Sequence, residues 1–206
     1  TFDDIVDVIE QEADEDILAL GGVKADEEIT DPVFSIARGR IPWLLANMAT
    51  AFLASSVISG FQGQIQKMVA LAVLAPIVAS MGGNAGTQTM TVTVRALATR
   101  ALDGSNAWRS VWRELGVGVL NGAVFAVVVG ALSALWFQST DLGIVIGIAM
   151  QLVLMAAALG GVVIPLLIQR IGIDPAVSSG PFVTTITDIV GFFTFLGVAT
   201  LWFHLA

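Results

Sequence analysis

The chain has 206 residues, of which 56% are hydrophobic and 13% charged, and it contains no cysteine and one histidine. This composition is typical of a membrane protein, and it excludes a disulfide framework, a thiol nucleophile and a cysteine-based metal site. The net charge of −8 is unevenly distributed, because residues 1–31 carry twelve acids against the single base Lys24, whereas the rest carries eight bases and five acids. An acidic soluble segment therefore precedes a mildly basic membrane domain.

Residues 1–37 are predicted to form an acidic cytoplasmic helix followed by a linker. The opening Thr1-Phe2-Asp3-Asp4 has the form of a capping box, and apolar residues recur after it at helical spacing. Such a helix needs a surface to pack against. Since the sequence also lacks an initiator methionine, we expect a fragment whose preceding domain is absent.

Residues 38–206 are predicted to form a domain of five transmembrane helices, so the expected fold is an all-α membrane protein. A helix needs about 20 apolar residues to cross the hydrocarbon core of a bilayer. The runs that meet this length are Ile41–Phe61, Met68–Val94, Val111–Phe137, Leu142–Ile168 and Val177–Phe203. The tryptophans fall near the ends of these runs, as in an aromatic belt: Trp43, Trp108, Trp112, Trp136 and Trp202.

Positive charges alternate between the connections of this domain. Arginines precede the first run, surround the second-to-third connection and follow the fourth run, whereas the other connections carry only Lys67. By the positive-inside rule the N-terminus is cytoplasmic and the C-terminus faces outward. We expect a multi-pass protein of the cytoplasmic (inner) membrane that contacts lipid and binds no nucleic acid.

The second helix carries features that weaken a helix and a stripe of polar residues. Pro76 and the glycine-rich segment 81–88 predict a loosened or broken helix, which lipid tolerates only where it is buried in protein or lines water. At helical spacing, Asn84, Thr87 (or Gln88) and Thr91 lie on one face. For Gly82, Gly83 and Gly86 alone, close helix packing is the favoured interpretation.

The fifth helix carries a second stripe, in which Gly180, Thr184 and Asp188 follow one another in steps of four. Asp188 is the only acid in the last 30 residues of the chain, and no Lys or Arg lies in its helix. A carboxylate at membrane depth costs at least about 2.5–3.5 kcal/mol, so it normally faces water or a partner charge. Two such stripes favour a hydrophilic pathway over a protonated structural acid, which remains the alternative.

Several motifs in order resemble the membrane domain of the MgtE-type magnesium channels. They are MGGNAGTQ (81–88), RALATR (95–100), ELGVG (114–118), DPA (174–176) and PFVTTITD (181–188), and the resemblance covers nearly the whole chain. Residues 1–20 resemble the end of the second CBS domain of that family and its connecting plug helix. The acidic N-terminal domain and most of the CBS pair are missing from this sequence.

The resemblance implies a homodimer whose pore lies on the two-fold axis and is lined by the second and fifth helices. It implies that Asp188 of both subunits binds hydrated Mg²⁺, while Gly180 and Thr184 contact the water shell of the ion. Thr87 and Thr91 would line the facing side, with Asn84 nearby. The family can carry Asn at the position of Gly180, so a side-chain contribution there is lost in this chain.

The chemistry of Mg²⁺ agrees with one carboxylate per subunit, because this ion keeps several waters and binds through one or two carboxylates. The function expected from these observations is a channel for hydrated Mg²⁺. The alternative is a secondary transporter that exchanges Mg²⁺ for Na⁺ or H⁺, since such transporters share broken helices and midplane carboxylates. An enzyme is not expected, because the sequence shows no nucleophile–base pair and no phosphate-binding loop.

The acidic segment suggests a second, regulatory metal site. Glu10, Glu12, Glu15 and Asp16 concentrate like charge near the cytoplasmic mouth, and divalent ions would relieve their repulsion. The helix could then close the pore when cytoplasmic Mg²⁺ is high. The alternative is the solvated face of a linker helix.

Overall fold

The computed structural model describes residue 15 and residues 17–24, 27–102 and 106–205 of the chain. The long helices are Val33–Gly60, Ala70–Ala98, Ala107–Phe137, Thr140–Arg170 and Pro175–Trp202, called the first to fifth helices below. A short helix, Gln62–Lys67, joins the first to the second. No strand occurs in the described part of the chain.

All five long helices have the length and apolar composition needed to cross a membrane, which confirms the predicted number of spans. The first helix begins at Val33, several residues before the predicted start of the membrane domain. Several other helices also extend beyond the predicted apolar runs, because polar and charged residues such as Arg170 continue their last turns. An apolar run in the sequence therefore predicts where a spanning helix lies more accurately than it predicts where that helix begins and ends.

The prediction of a broken second helix is wrong. The helix runs without interruption from Ala70 to Ala98, with Pro76 and all three glycines of the segment 81–88 inside it. Pro76 lies near the N-terminal end, where it removes one backbone hydrogen bond from an otherwise intact ladder. Local weakness in the sequence is overcome because Gly82 and Gly86 pack tightly against neighbouring helices, as described below.

The fourth helix is the centre of the bundle. It holds fully buried residues along most of its length, including Val145, Met150 and Val153, and it packs against the second, third and fifth helices. The first helix instead packs mainly on the fifth and buries only Ala54. The outward faces of the first and third helices expose large apolar side chains such as Phe52 and Val127, as expected of surfaces that contact lipid or another subunit.

The end of the acidic linker packs on the bundle at its arginine-rich side. Residues 17–20 are helical, and Ala19 and Leu20 lie against a hydrophobic cluster formed by the second, fourth and fifth helices. That cluster includes Val94, Ile168 and Ala176. The linker therefore contacts the same end of the bundle at which the fifth helix begins.

Candidate functional site

Asp188 lies in the middle of the fifth helix, more than three turns from either end. Its side chain is partly exposed, and it makes no hydrogen bond or ion pair with the residues that the structure describes. Those residues also contain no cluster of three or more His, Cys, Asp or Glu side chains able to hold a metal ion. Among the described residues, Asp188 therefore has no side-chain partner with which it could form a metal site.

The second and fifth helices are antiparallel neighbours, and their contacts fix the register between the two polar stripes. A Cβ atom built at Gly82 would lie 3.4 Å from Thr187 Cβ, and one built at Gly86 would lie 3.2 Å from Thr187 Cγ2. Farther along, Gly191 meets Val78. Asp188 is thus level with residues 82–83, Thr184 with 86–87 and Gly180 with 90–91. These contacts set the heights of the two stripes along neighbouring helices, which touch through the buried residues Gly82, Gly86 and Thr187.

The three glycines of the second helix have two different roles. A Cβ atom at Gly82 would approach Val153 Cγ2 to 2.7 Å, and one at Gly86 would approach Val183 Cγ1 to 2.8 Å, so both positions require close helix packing. Gly83 has nothing within 4 Å of such an atom. The packing interpretation is therefore confirmed for Gly82 and Gly86 but is wrong for Gly83, which faces open space at the level of Asp188.

Threonine hydroxyls on the two stripes are oriented to accept hydrogen bonds. Thr184 Oγ1 donates to the carbonyl oxygen of Gly180 at 3.1 Å, and Thr91 Oγ1 donates to that of Thr87 at 2.9 Å. A hydroxyl has one hydrogen and two acceptor lone pairs. Since the hydrogen is used inside the helix, the oxygen is left to accept from water, and the waters of a hydrated cation are hydrogen-bond donors.

The exposed face of the second helix carries Asn84, Thr87 and Thr91, as the helical spacing predicts. Gln88 is also exposed, but it lines a cavity of about 160 Å³ toward the third helix, together with Glu114. Thr87 and Gln88 are therefore both exposed, but only Gln88 lines this cavity.

Glu114, in the third helix, received no role from the sequence. Its carboxylate accepts hydrogen bonds from Arg113 Nη2 at 3.1 Å and from Thr89 Oγ1 at 3.5 Å. The side chain is 14% exposed. The signal in the sequence was an acid next to an arginine, which indicates an ion pair, but the contact with the second helix depends on tertiary packing.

A cavity of about 600 Å³ lies between the linker and the starts of the first and fifth helices. Its lining includes Glu15, Trp43 and Asp174. Asp174 caps the fifth helix, where its Oδ1 atom accepts from the backbone N–H of Ala176 at 2.8 Å. Of the four predicted regulatory acids, Glu15 reaches this cavity, whereas Glu10, Glu12 and Asp16 lie outside the described residues.

Comparison with known proteins gives one consistent family. Residues 75–198 match the family model described as MgtE, divalent cation transporter. Three curated relatives, each named magnesium transporter MgtE, match almost the whole chain. They are the proteins of Bacillus subtilis (33% identical, 99% of this chain and 45% of the relative), Enterococcus faecalis (36%, 98% and 44%) and Thermus thermophilus (38%, 98% and 45%). The chain spans about half the length of these relatives.

Proposed function

Because the chain belongs to the MgtE family of divalent cation transporters, we propose that it forms a homodimeric channel for hydrated Mg²⁺ in the cytoplasmic membrane. The pore lies between the paired stripes of two subunits, and Asp188 of each subunit supplies the charge at the ion site. The relatives are named magnesium transporters, and this name motivates the choice of ion.

The observation that carries this proposal is the partly exposed carboxylate of Asp188, which has no hydrogen bond or ion pair with any residue that the structure describes. A single carboxylate at membrane depth is costly without a partner. Two of them related by a two-fold axis would repel each other, and a divalent cation between them removes that cost. One carboxylate per subunit also suits an ion that keeps most of its water.

The neighbouring groups support a hydrated rather than a bare ion. The free lone pairs of the Thr184 and Thr91 hydroxyls accept hydrogen bonds from bound water. A Cβ atom built at Gly83 would meet nothing within 4 Å, so this position leaves open space on the second helix for a water shell. Selection then depends on pore width and on contacts with water, while Asp188 provides the electrostatic attraction.

The test is Mg²⁺ uptake into liposomes that contain the purified chain and a trapped Mg²⁺ indicator. Wild type is compared with Asp188→Ala, and Glu114→Gln serves as the matched control because it alters the other carboxylate buried within a spanning helix. We expect uptake driven by the Mg²⁺ gradient alone, abolished in Asp188→Ala and retained in the control. Uptake that requires an imposed Na⁺ or H⁺ gradient would replace the channel with an exchanger.

We further propose that the acidic linker regulates this pore. Glu15 lines the cytoplasmic cavity with Asp174, and a divalent cation among such acids would draw the linker toward the fifth helix. Replacing Glu10, Glu12, Glu15 and Asp16 by neutral amides is expected to weaken the inhibition of uptake by Mg²⁺ on the cytoplasmic side. Unchanged inhibition would leave these acids as the solvated face of a linker.

A further inference from the structure

The linker is held along the first helix by an ion pair between the nearly buried Glu27 and the half-exposed Arg40. Glu27 Oε1 accepts from Arg40 Nε at 3.0 Å and also from Arg40 Nη2, and the Glu27 side chain is only 8% exposed. Beside this pair, Lys24 Cε would lie 3.3 Å from a Cβ atom built at Gly39. Breaking this ion pair would leave the Glu27 carboxylate, which is only 8% exposed, without its partner charge. The linker therefore has a fixed position against this part of the first helix.

One turn farther along the first helix, Trp43 contacts the linker at Gly22. Gly22 has a left-handed backbone conformation, with φ of +69°, which favours glycine. A methyl group added there would overlap the indole Nε1 and Cε2 atoms of Trp43. The linker backbone thus lies directly on one edge of the ring.

The neighbouring atoms of the same ring lie close to Gly180, which we propose belongs to the ion path. A Cβ atom built at Gly180 would lie 3.6 Å from Trp43 Cζ2 and 3.8 Å from Cη2. Gly180 is the cytoplasmic end of the stripe that leads to Asp188, and its carbonyl oxygen accepts from the Thr184 hydroxyl. A shift of Gly180 would therefore also displace the hydroxyl that we propose contacts the water shell.

We propose that Trp43 is a positioning residue of the ion path, whose indole ring sets the place of Gly180 relative to the linker. The inference rests on the proposed function, because it assigns Gly180 and Thr184 to the path of the ion. An indole is a rigid side chain with two rotatable angles, and dense packing transmits strain. A displacement of the linker at Gly22 would thus move the Trp43 ring, and the ring would in turn shift Gly180.

A double-mutant cycle tests this coupling in the chain reconstituted into liposomes. Gly22→Ala is measured with Trp43 present and with Trp43→Ala, and the readout is the ratio of Mg²⁺ flux to Co²⁺ flux. This ratio does not depend on the amount of folded protein, so a merely structural role leaves it unchanged. The backbone strain of Gly22→Ala is present in both backgrounds and cancels in the cycle.

We expect Gly22→Ala to change the flux ratio by about threefold or more with Trp43 present and to have little effect in Trp43→Ala, as for residues in contact. Trp43→Phe keeps an aromatic ring, so a protein with this single substitution should have a ratio of Mg²⁺ to Co²⁺ flux close to that of the wild type. Gly21→Ala is the matched control, because a Cβ atom there meets only Leu18 and Val23. It should leave the ratio unchanged in both backgrounds.

Equal effects of Gly22→Ala in the two backgrounds would overturn the role of Trp43 and leave the proposed function intact. If Gly22→Ala does not fold, Gly180→Val takes its place in the cycle, because a side chain at Gly180 would meet the Trp43 ring. A change in the flux ratio that requires Trp43 would support the proposal, and an equal change in both backgrounds would overturn it. Failure of the proposed function has a separate signature, which is flux retained in Asp188→Ala.

Discussion

Within the described spanning helices, two carboxylates lie more than one turn from a helix end, and their surroundings differ. Glu114 is buried between helices and accepts from Arg113 and Thr89. Asp188 is partly exposed on an open face and has no such partner among the described residues. The acidic group is chemically the same, but only one of the two charges is satisfied inside the chain.

This difference shows how a membrane carboxylate is assigned a role. A charge whose partners come from its own chain stabilises the packing of helices, and removing it costs folding energy. A charge that no group of the chain satisfies needs a partner from outside, and it lies where the bundle is open. Glu114 is of the first kind, and we propose that Asp188, which has no partner among the described residues, is of the second.

The sharpest test of this contrast is amide substitution of both carboxylates. Asp188→Asn should reduce Mg²⁺ flux to the level of protein-free liposomes, because the amide keeps the shape but removes the charge that attracts the cation. Glu114→Gln should retain most of the flux, normalised to folded protein. Equal losses in the two variants would show that position in the bundle does not separate their roles.

A bulky side chain at Gly83 tests whether the open space at this position is used by the ion. Gly83→Leu would fill the open region while leaving helix contacts intact, and we expect flux to fall roughly tenfold, which corresponds to about 1.4 kcal/mol in the barrier. Thermal unfolding in detergent should be nearly unchanged. Gly86→Leu is the opposite control, since overpacking against Val183 should lower the unfolding temperature.

Removing single hydroxyls should have a smaller effect that also depends on the helix face. A hydrogen bond contributes about 0.5–1.5 kcal/mol, so Thr184→Val should lower flux by roughly 2- to 10-fold. The Thr187 hydroxyl donates to the backbone at 2.9 Å on the buried face. Thr187→Val should therefore leave flux unchanged, and a matching loss there would argue against contact between Thr184 and the water shell.

Loss of the Glu114 ion pair should cause the smallest change in flux. Its main effect should be on the stability of the folded protein. Glu114→Gln removes a charged acceptor whose main partner, Arg113, is 68% exposed, so the loss of folding free energy should be about 1 kcal/mol or less. We expect a lower unfolding temperature in detergent and an unchanged ratio of Mg²⁺ to Co²⁺ flux. A changed ratio with unchanged stability would place Glu114 on the ion path.

Much of the bundle could be predicted from single-residue patterns. The five spans follow from runs of apolar residues, and the exposed positions of Asn84, Thr87 and Thr91 follow from the helical period. The ends of the helices could not be predicted as well, because charged residues such as Arg170 continue a helix as readily as apolar ones. The break at residues 76–86 was wrongly predicted, because local helix propensity is a weak guide where packing is close.

The sequence by itself determined that this chain crosses a membrane five times and carries an unbalanced carboxylate at Asp188, since hydropathy and charge are properties of local composition. Tertiary structure decided which glycine packs and which faces open space, that Glu114 has partners among the described residues whereas Asp188 has none there, and that Trp43 lies near both Gly22 and Gly180. Those distinctions depend on the rotation and register of one helix against another. Segments far apart in the chain set these quantities jointly, so no local pattern contains them.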